Sequence, residues 1–166
     1  MSAATASPAP LVRAANDGIR RWFFGGGVHT WMVRADETNG AFLLFEDEMD
    51  RGKLTPLHTH PDSEETMYVL DGEILMHMDG QEHRMSAGDV AVAPRGLPHA
   101  FMVTSEMARM LFLHTPGSCE AFYWNASQPV SGDDAASGPV DFDRVRASAL
   151  RHGGIDIIGP PPFAQR

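Results

Sequence analysis

Two segments that each begin with a glycine constrain the fold of this chain more than any other feature, because the spacing of their residues is typical of short strands joined by tight turns. The marked positions are Gly52, His58, His60, Glu65 and Gly72 in the first segment, and Gly88, Pro94, Gly96 and His99 in the second. His58 and His60 are two residues apart, so their side chains share one face of a strand, whereas they would diverge on a helix. The spacing therefore predicts strands that bring histidines together.

The same residues predict a metal site. Divalent transition metals accept three imidazoles and one carboxylate, which are here His58, His60, Glu65 and His99. Fe, Ni, Mn, Co, Cu and Zn all accept these ligands, so we expect one ion per chain without selecting its identity. Glu64 is the alternative carboxylate, but the run from Thr66 to Leu70 places Glu65 beside the apolar face of the strand and leaves Glu64 on the opposite face, toward solvent. A surface hairpin whose histidines bind no metal is the other alternative.

Both segments resemble the two sequence motifs of the cupin superfamily. The first has the pattern G-x5-H-x-H-x4-E-x6-G over residues 52–72, and the second has G-x5-P-x-G-x2-H over residues 88–99. The second motif departs from the family at Val103, where cupins often have Asn, and this Asn is not a metal ligand. The resemblance implies an all-β fold, a double-stranded β-helix or jelly-roll barrel, with the metal toward one mouth of the barrel.

Within the cupins, three stretches are similar to small single-domain proteins related to quercetin 2,3-dioxygenase. These stretches are residues 56–60, 65–72 and 94–101. The similarity implies a metal-dependent dioxygenase, an oxidoreductase that combines dioxygen with an aromatic or enolisable hydroxy-ketone of flavonol-like or polyketide-like type. Glu65 would then be both a ligand and the general base that accepts the substrate's hydroxyl proton. The same residues also suit a non-oxidative metal-dependent cyclase, isomerase or lyase, or a cupin that binds a small ligand without catalysis.

Apolar residues that share strand faces with the ligands predict a substrate pocket. Its expected members are Met67, Val69, Ile74, Met76, Phe101 and Val103, with His114 as a further polar group near the metal. Methionine side chains adapt to irregular shapes, so we expect an apolar, planar small molecule as the substrate. The alternative is that these residues only fill the barrel core.

The rest of the chain predicts one domain with short extensions. A length of 166 residues supports a single core, and 16 glycines and 12 prolines are typical of short strands joined by turns. We expect a flexible tail over residues 1–15, the barrel over 16–126, a loop over 127–140, and a C-terminal helix and tail packing on the barrel over 141–166. Asp141 is the expected N-cap of that helix, and Gly153 its expected end.

Charge and composition limit the partners. A net charge of -9 and a pI near 5.2 argue against nucleic acid and anionic membranes, which bind basic surfaces. Cys119 is the only cysteine, so no intrachain disulfide can form. The first ten residues lack a signal-peptide pattern, and no apolar run approaches the ~20 residues of a spanning helix, so we expect a cytoplasmic protein. Exposed strand edges predict a homodimer, with a monomer as the alternative.

Overall fold

Two antiparallel sheets contain most of the regular secondary structure in the computed structural model, which describes residues 7–15, 17–130 and 138–163. The described residues form twelve strands, two α-helices and a short 3-10 helix, Ala35–Thr38. The strands are β1 (Ile19–Phe23), β2 (Val28–Val33), β3 (Leu43–Asp50), β4 (Leu57–Thr59), β5 (Glu64–Asp71), β6 (Glu73–Met78), β7 (Gln81–Ser86), β8 (Val90–Ala93), β9 (His99–Val103), β10 (Met107–Thr115), β11 (Ser127–Pro129) and β12 (Asp156–Gly159). The helices are α1 (Glu120–Asn125) and α2 (Phe142–His152).

The sheets have seven and five strands. The first has the order β11-β1-β2-β3-β10-β5-β8, and the second has the order β12-β4-β9-β6-β7. Buried apolar side chains from both sheets form one core cluster. This arrangement confirms the predicted all-β fold with a short C-terminal helix.

Alternating burial explains why the central strands form. Along β3 every second side chain is buried, and β10 alternates in the same way. The two strands pair antiparallel along their length, so inward side chains meet across the ladder; Phe45 lies opposite Phe112, with ring centroids 5.3 Å apart. The Asp79-Gly80 pair joins β6 to β7 as a tight hairpin, as this dipeptide predicts.

The C-terminal region forms more structure than the sequence predicts. Helix α2 has the expected ends, because the Asp141 carboxylate accepts a hydrogen bond from the Arg144 N–H at 3.1 Å and Gly153 is the C-cap. Beyond it, β12 pairs with β4 and so becomes part of the five-stranded sheet. Within the expected loop 127–140, β11 pairs with β1, and residues 131–137 lie outside the described residues.

The N-terminal segment forms neither helix nor strand over residues 7–15, and residues 1–6 lie outside the described residues. Arg13 nevertheless attaches this segment to the barrel. Its guanidinium donates to the Met32 carbonyl and pairs with Glu37 at 2.6 Å. Among the residues that the structure describes, no helix combines the length and the apolar character needed to cross a membrane.

Candidate metal centre

The four predicted ligands lie together inside the barrel. His58 belongs to β4, Glu65 to β5 and His99 to β9, while His60 follows directly after β4. Strand alternation places His58 and His60 on the same inward face, and His58 pairs across the ladder with His99. All four side chains are buried, and one ligand-capable atom of each lies within 4.8 Å of the others. The sequence therefore predicted which side chains converge.

Each histidine is oriented by a backbone carbonyl. The Nδ1 donors and their acceptors are His58 to the Pro56 carbonyl at 2.9 Å, His60 to the Gly154 carbonyl at 2.8 Å, and His99 to the Leu97 carbonyl at 2.9 Å. A carbonyl oxygen can only accept a hydrogen bond, so Nδ1 carries the hydrogen in all three rings. This arrangement directs the three Nε2 atoms into the centre, which is how metal-binding histidines are held.

Glycine suits position 154, whose carbonyl accepts the hydrogen bond from His60, because the backbone there has a positive φ and passes close to Cys119. It has φ of 80°, and a Cβ at this position would lie 2.6 Å from the Cα of Cys119. A residue with a side chain would therefore have to move the segment that accepts the His60 hydrogen bond. The chain beyond α2 thus has a direct part in orienting a candidate ligand.

Glu65 makes the centre strongly polar. Its Oε2 lies 2.6 Å from His99 Nε2 and 3.4 Å from His60 Nε2, and its Oε1 lies 3.5 Å from His114 Nε2. Burial raises the pKa of Glu65, but its polar contacts with the surrounding imidazoles of His60, His114 and His99 outweigh burial and hold that pKa well below its ordinary value. Glu65 is therefore an ionised acceptor.

The histidine pKa values differ with their contacts to Glu65. Burial lowers the pKa of His99, but its hydrogen bond to Glu65 and the carboxylate charge outweigh burial and raise that pKa. The pKa of His58 is held well below its ordinary value by burial and then by the charges of His99 and His60. A metal ion entering the centre would therefore replace the proton that His99 shares with Glu65.

One unsatisfied atom supports the fit to a metal. His60 Nε2 is buried and has no hydrogen-bond partner among the described residues, and its contact with Glu65 lacks hydrogen-bond geometry. Leaving a buried nitrogen without a partner costs free energy, and a metal ion would remove this cost. Three inward Nε2 atoms and one ionised carboxylate are a donor set that divalent transition metals accept.

An apolar cavity opens beside these ligands, and His58, Glu65 and His99 form part of its wall. Seven aromatic side chains contribute to the remaining wall: Phe23, Phe45, Phe101, Phe112, Phe122, Tyr123 and Phe142. The C-terminal region adds Val145 from α2, together with Ile155 and Ile157. The C-terminal helix and tail, which we expected to pack on the barrel, therefore also form part of the cavity wall.

The predicted pocket was largely wrong in position. Phe101 lines the cavity, but Met67, Val69, Ile74, Met76 and Val103 do not; each is 0–1% exposed in the barrel core. These side chains do point into the barrel, but strand alternation does not indicate how far along the strand a residue lies from the metal centre. Val69 lies four residues beyond Glu65 on β5, which at about 3.3 Å per residue places it about 13 Å farther along the strand.

His114 is buried behind the carboxylate rather than in the cavity wall. It lies across the ladder from Glu65, and within the part of the chain that the structure describes neither of its ring nitrogens has a hydrogen-bond partner. Burial lowers its pKa to about 3, so the ring is neutral. His60, His114 and Cys119 also form a second group with metal-ligand geometry, which shares His60 with the first.

Sequence reasoning missed several residues of the cavity wall. His29, Asp47 and Lys53 bring polar groups from β2, β3 and the turn after β3, and α1 brings Phe122 and Tyr123. None is a specified position of either histidine-containing motif, although Lys53 lies within the first motif at one of its unspecified positions. A signal existed for Asp47, because it lies in phase with the inward apolar residues of β3, where a carboxylate is unexpected.

Comparisons with known proteins agree with this geometry. Residues 45–114 match the Cupin domain family. The chain is 30% identical to quercetin 2,3-dioxygenase of Bacillus subtilis over 138 residues, which are 82% of this chain and 41% of that protein. It is 31% identical to polyketide synthase CurC of Streptomyces cyaneus over 103 residues, which are 61% of this chain and 62% of that protein.

A solved structure gives the same fold. An RmlC-like cupin from Shewanella frigidimarina matches with a TM-score of 0.59 at 17% identity, covering 68% of this chain and 96% of that chain. Residues 45–114 are therefore a cupin domain, and the chain has the cupin fold. It is similar to quercetin 2,3-dioxygenase, although it spans only 41% and 62% of the lengths of the two curated relatives.

Proposed function

We propose that this cupin is a metal-dependent dioxygenase that acts on a small, apolar molecule with an aromatic or enolisable hydroxy-ketone group. The observation that carries the proposal is the convergence of three Nε2 atoms and the Glu65 carboxylate at the wall of an aromatic-lined cavity. The similarity to quercetin 2,3-dioxygenase over 82% of the chain supports the reaction type. Homodimer formation and a cytoplasmic location stay predictions.

His58, His60, Glu65 and His99 would hold one divalent transition metal. When bound, the ion supplies Lewis acidity toward a substrate oxygen and, if it is redox-active, a path for electrons to dioxygen. The aromatic rings of the cavity have complementary roles, because they offer flat apolar surfaces to a planar substrate and exclude water from the reacting atoms. The carbonyl-anchored histidines keep their Nε2 atoms in place during these steps.

Glu65 is the proposed general base. It is an ionised carboxylate in the cavity wall beside the inward Nε2 atoms, so it can accept the proton of a substrate hydroxyl that approaches the centre. His114 lies against its second oxygen and has an unpartnered nitrogen there, so it limits how the carboxylate can turn. This contact makes His114 a positioning residue for Glu65 in the proposal.

A non-oxidative reaction is the second candidate, because the chain is also similar to CurC, a polyketide synthase component by name. A cyclase, isomerase or lyase needs a Lewis acid to polarise a carbonyl and a base to remove an adjacent proton. The same four residues provide both without dioxygen. Binding of a small ligand without turnover is the third candidate.

Metal analysis followed by oxygen uptake tests these candidates. The protein is purified without an affinity tag, its metals are quantified, and oxygen consumption is recorded with 3-hydroxyflavone. About one redox-capable ion per chain together with oxygen uptake supports the dioxygenase. Zinc at that ratio without uptake supports the non-oxidative reaction, and failure to bind any added transition metal overturns both.

A further inference from the structure

A buried ion pair lies in the cavity wall outside the four candidate ligands. Lys53 Nζ is 2.6 Å from Asp47 Oδ2, and their side chains are 6% and 2% exposed. Both residues line the cavity. Removing two charges from water costs several kcal/mol per ion, so a buried pair is weak evidence for a role in stability alone. The pair therefore calls for a functional explanation.

Lys53 has unused hydrogen-bonding capacity. An ammonium group has three N–H donors, and Asp47 is the one hydrogen-bond acceptor that Lys53 Nζ has among the described residues. Its other neighbours are aromatic rings, with Nζ 5.3 Å from the Phe23 centroid and 5.6 Å from the Phe101 centroid. Cation–π contacts stabilise the charge but leave donors without an acceptor. The cavity is the space from which an acceptor could come.

The fold holds the pair in place. Asp47 Oδ2 is also 3.4 Å from Nε2 of His29, whose ring stacks between Phe23 and Phe45. The other carboxylate oxygen occupies the space that a Cβ at Gly27 would need, and Gly27 has φ of 107°. A glycine at this position thus makes room for the carboxylate. Residues of β1, β2 and β3 therefore hold the Asp47 carboxylate in place, and this carboxylate in turn fixes the position of the Lys53 ammonium.

The charge balance of this cluster defines the ligand class. Burial raises the pKa of Asp47, but the charge of Lys53 and the polar contacts with Lys53 and His29 outweigh burial and lower that pKa, so the carboxylate is ionised and balances the ammonium. Burial lowers the pKa of His29, whose ring is neutral. With no net charge, the cluster suits a neutral oxygen acceptor, such as a hydroxyl, carbonyl or ether, better than a carboxylate or phosphate.

We propose that Lys53 forms a second polar subsite, which donates a hydrogen bond to a substrate oxygen other than the oxygens at the metal centre. The substrate class is thereby narrowed to polyoxygenated aromatic or polyketide-like molecules, with one oxygen group at each site. This inference rests on the proposed function, because both use the same cavity. Asp47 and His29 are positioning residues for Lys53.

Matched flavone probes test the subsite with the metal-loaded, full-length protein in the absence of oxygen, so that binding is measured without turnover. The probe 3-hydroxyflavone carries only the hydroxy-ketone, and its 7-hydroxy and 4′-hydroxy derivatives each add one phenolic hydroxyl at an opposite end. We expect at least one derivative to bind about tenfold more tightly than 3-hydroxyflavone, the scale of a hydrogen bond to a charged donor. Fluorescence titration gives this selectivity ratio.

Substitutions then assign the ratio to Lys53. Lys53→Met removes the donors at similar length, and we expect the ratio to fall to about one because the added hydroxyl loses its partner. Arg51→Met is the matched control, since it removes an exposed positive charge outside the cavity wall and should keep the ratio. Lys53→Met leaves Asp47 unpaired, so the double variant Asp47→Asn with Lys53→Met provides the same test with both charges removed.

The outcomes separate the subsite from the proposed reaction. A selectivity ratio near one in the unsubstituted protein overturns the subsite. The same conclusion follows if no probe binds, or if both Lys53 variants retain the ratio. General destabilisation lowers the affinity for all probes and does not move the ratio. A preserved, Lys53-dependent ratio without oxygen uptake supports the subsite and counts against the dioxygenase.

Discussion

The two ends of the barrel interior bury different chemistry. At the ligand end, Glu65 faces His114 across the ladder between β5 and β10, and His99 begins β9. Farther along β5, β9 and β10 is the apolar end, formed by Val69, Val103 and Met110 together with Ile74 of the neighbouring β6. Both ends are almost fully buried, with these side chains 0–3% exposed. They differ in that the apolar end needs no partners, whereas the ligand end holds nitrogen and oxygen atoms that do.

This difference indicates where the molecule has given up stability for function. Burial of an apolar side chain by itself stabilises the folded protein, by about 1.5–3 kcal/mol for each large aliphatic residue. Burial of an imidazole nitrogen without a hydrogen-bond partner destabilises it, and among the described residues the ligand end contains such nitrogens in His60 and His114. We therefore expect metal binding to depend on the ligand end and folding stability to depend on the apolar end.

Replacing a ligand should have the largest effect. We expect His58→Ala to lose most of the bound metal and all activity, because one of three imidazole donors is missing. Elemental analysis of the purified variant measures the metal, and circular dichroism verifies that it is folded. Metal content equal to that of the unsubstituted protein would contradict the assignment of His58 as a ligand.

Glu65→Gln separates coordination from catalysis. The amide retains the shape and one carbonyl oxygen but cannot act as a base near neutral pH, so we expect more metal than activity to remain. Metal content and turnover are measured on the same preparation. Equal losses of both would limit Glu65 to coordination.

Gly154→Ala tests the support of His60 from the C-terminal region. The new Cβ collides with Cys119 and strains a backbone with φ of 80°, which moves the carbonyl acceptor of His60. Loss of such a supporting hydrogen bond weakens metal affinity about 10–100-fold in other metal sites, and we expect an effect of this size. A competition titration with a chelator measures the affinity; an unchanged value would show that this hydrogen bond is dispensable.

Ile74→Ala tests the apolar end. We expect a loss of about 2–5 kcal/mol in the free energy of unfolding, because the substitution leaves a space in a close-packed core. Metal affinity of the folded protein should stay the same. Urea unfolding of the metal-free protein measures the first quantity, and a parallel loss of metal affinity would blur the distinction between the two ends.

Glu64→Gln should have the smallest effect and is the matched control for Glu65→Gln. Glu64 faces outward on β5, where its side chain is 39% exposed and pairs with Arg95 at 2.7 Å. Exposed ion pairs contribute little, so metal content and activity should not change. Loss of metal in this variant would favour Glu64 as the carboxylate ligand instead.

The sequence was sufficient for the ligand end because the relevant information is local. His58 and His60 share a strand face whatever the rest of the fold does, and the count to Gly72 selects Glu65. The pocket was not predictable in the same way. Alternation on β5 places Met67 and Val69 on the inward face, but which inward residues meet open space depends on how elements from elsewhere cover the barrel mouth.

Those covering elements have weak sequence signals. Helix α1 has only six residues, which is too short for a helical period to be recognised, yet it brings Phe122 and Tyr123 to the cavity. The Lys53–Asp47 pair depends on how the chain turns back after β3, and no motif marks it. Only the inward phase of Asp47 on β3 indicated that a polar group is buried there.

The hydrogen bond from His60 to Gly154 has a consequence for the order of assembly. The acceptor lies 94 residues after the histidine, so the ring cannot be fixed by this bond while the nascent chain is shorter than residue 154. The neighbouring β12 reaches β4 equally late, since it pairs with His58 through Ile157. Strands β1 to β10 are therefore synthesised before the centre is complete, and a chain that terminated after β10 would lack the carbonyl that orients His60.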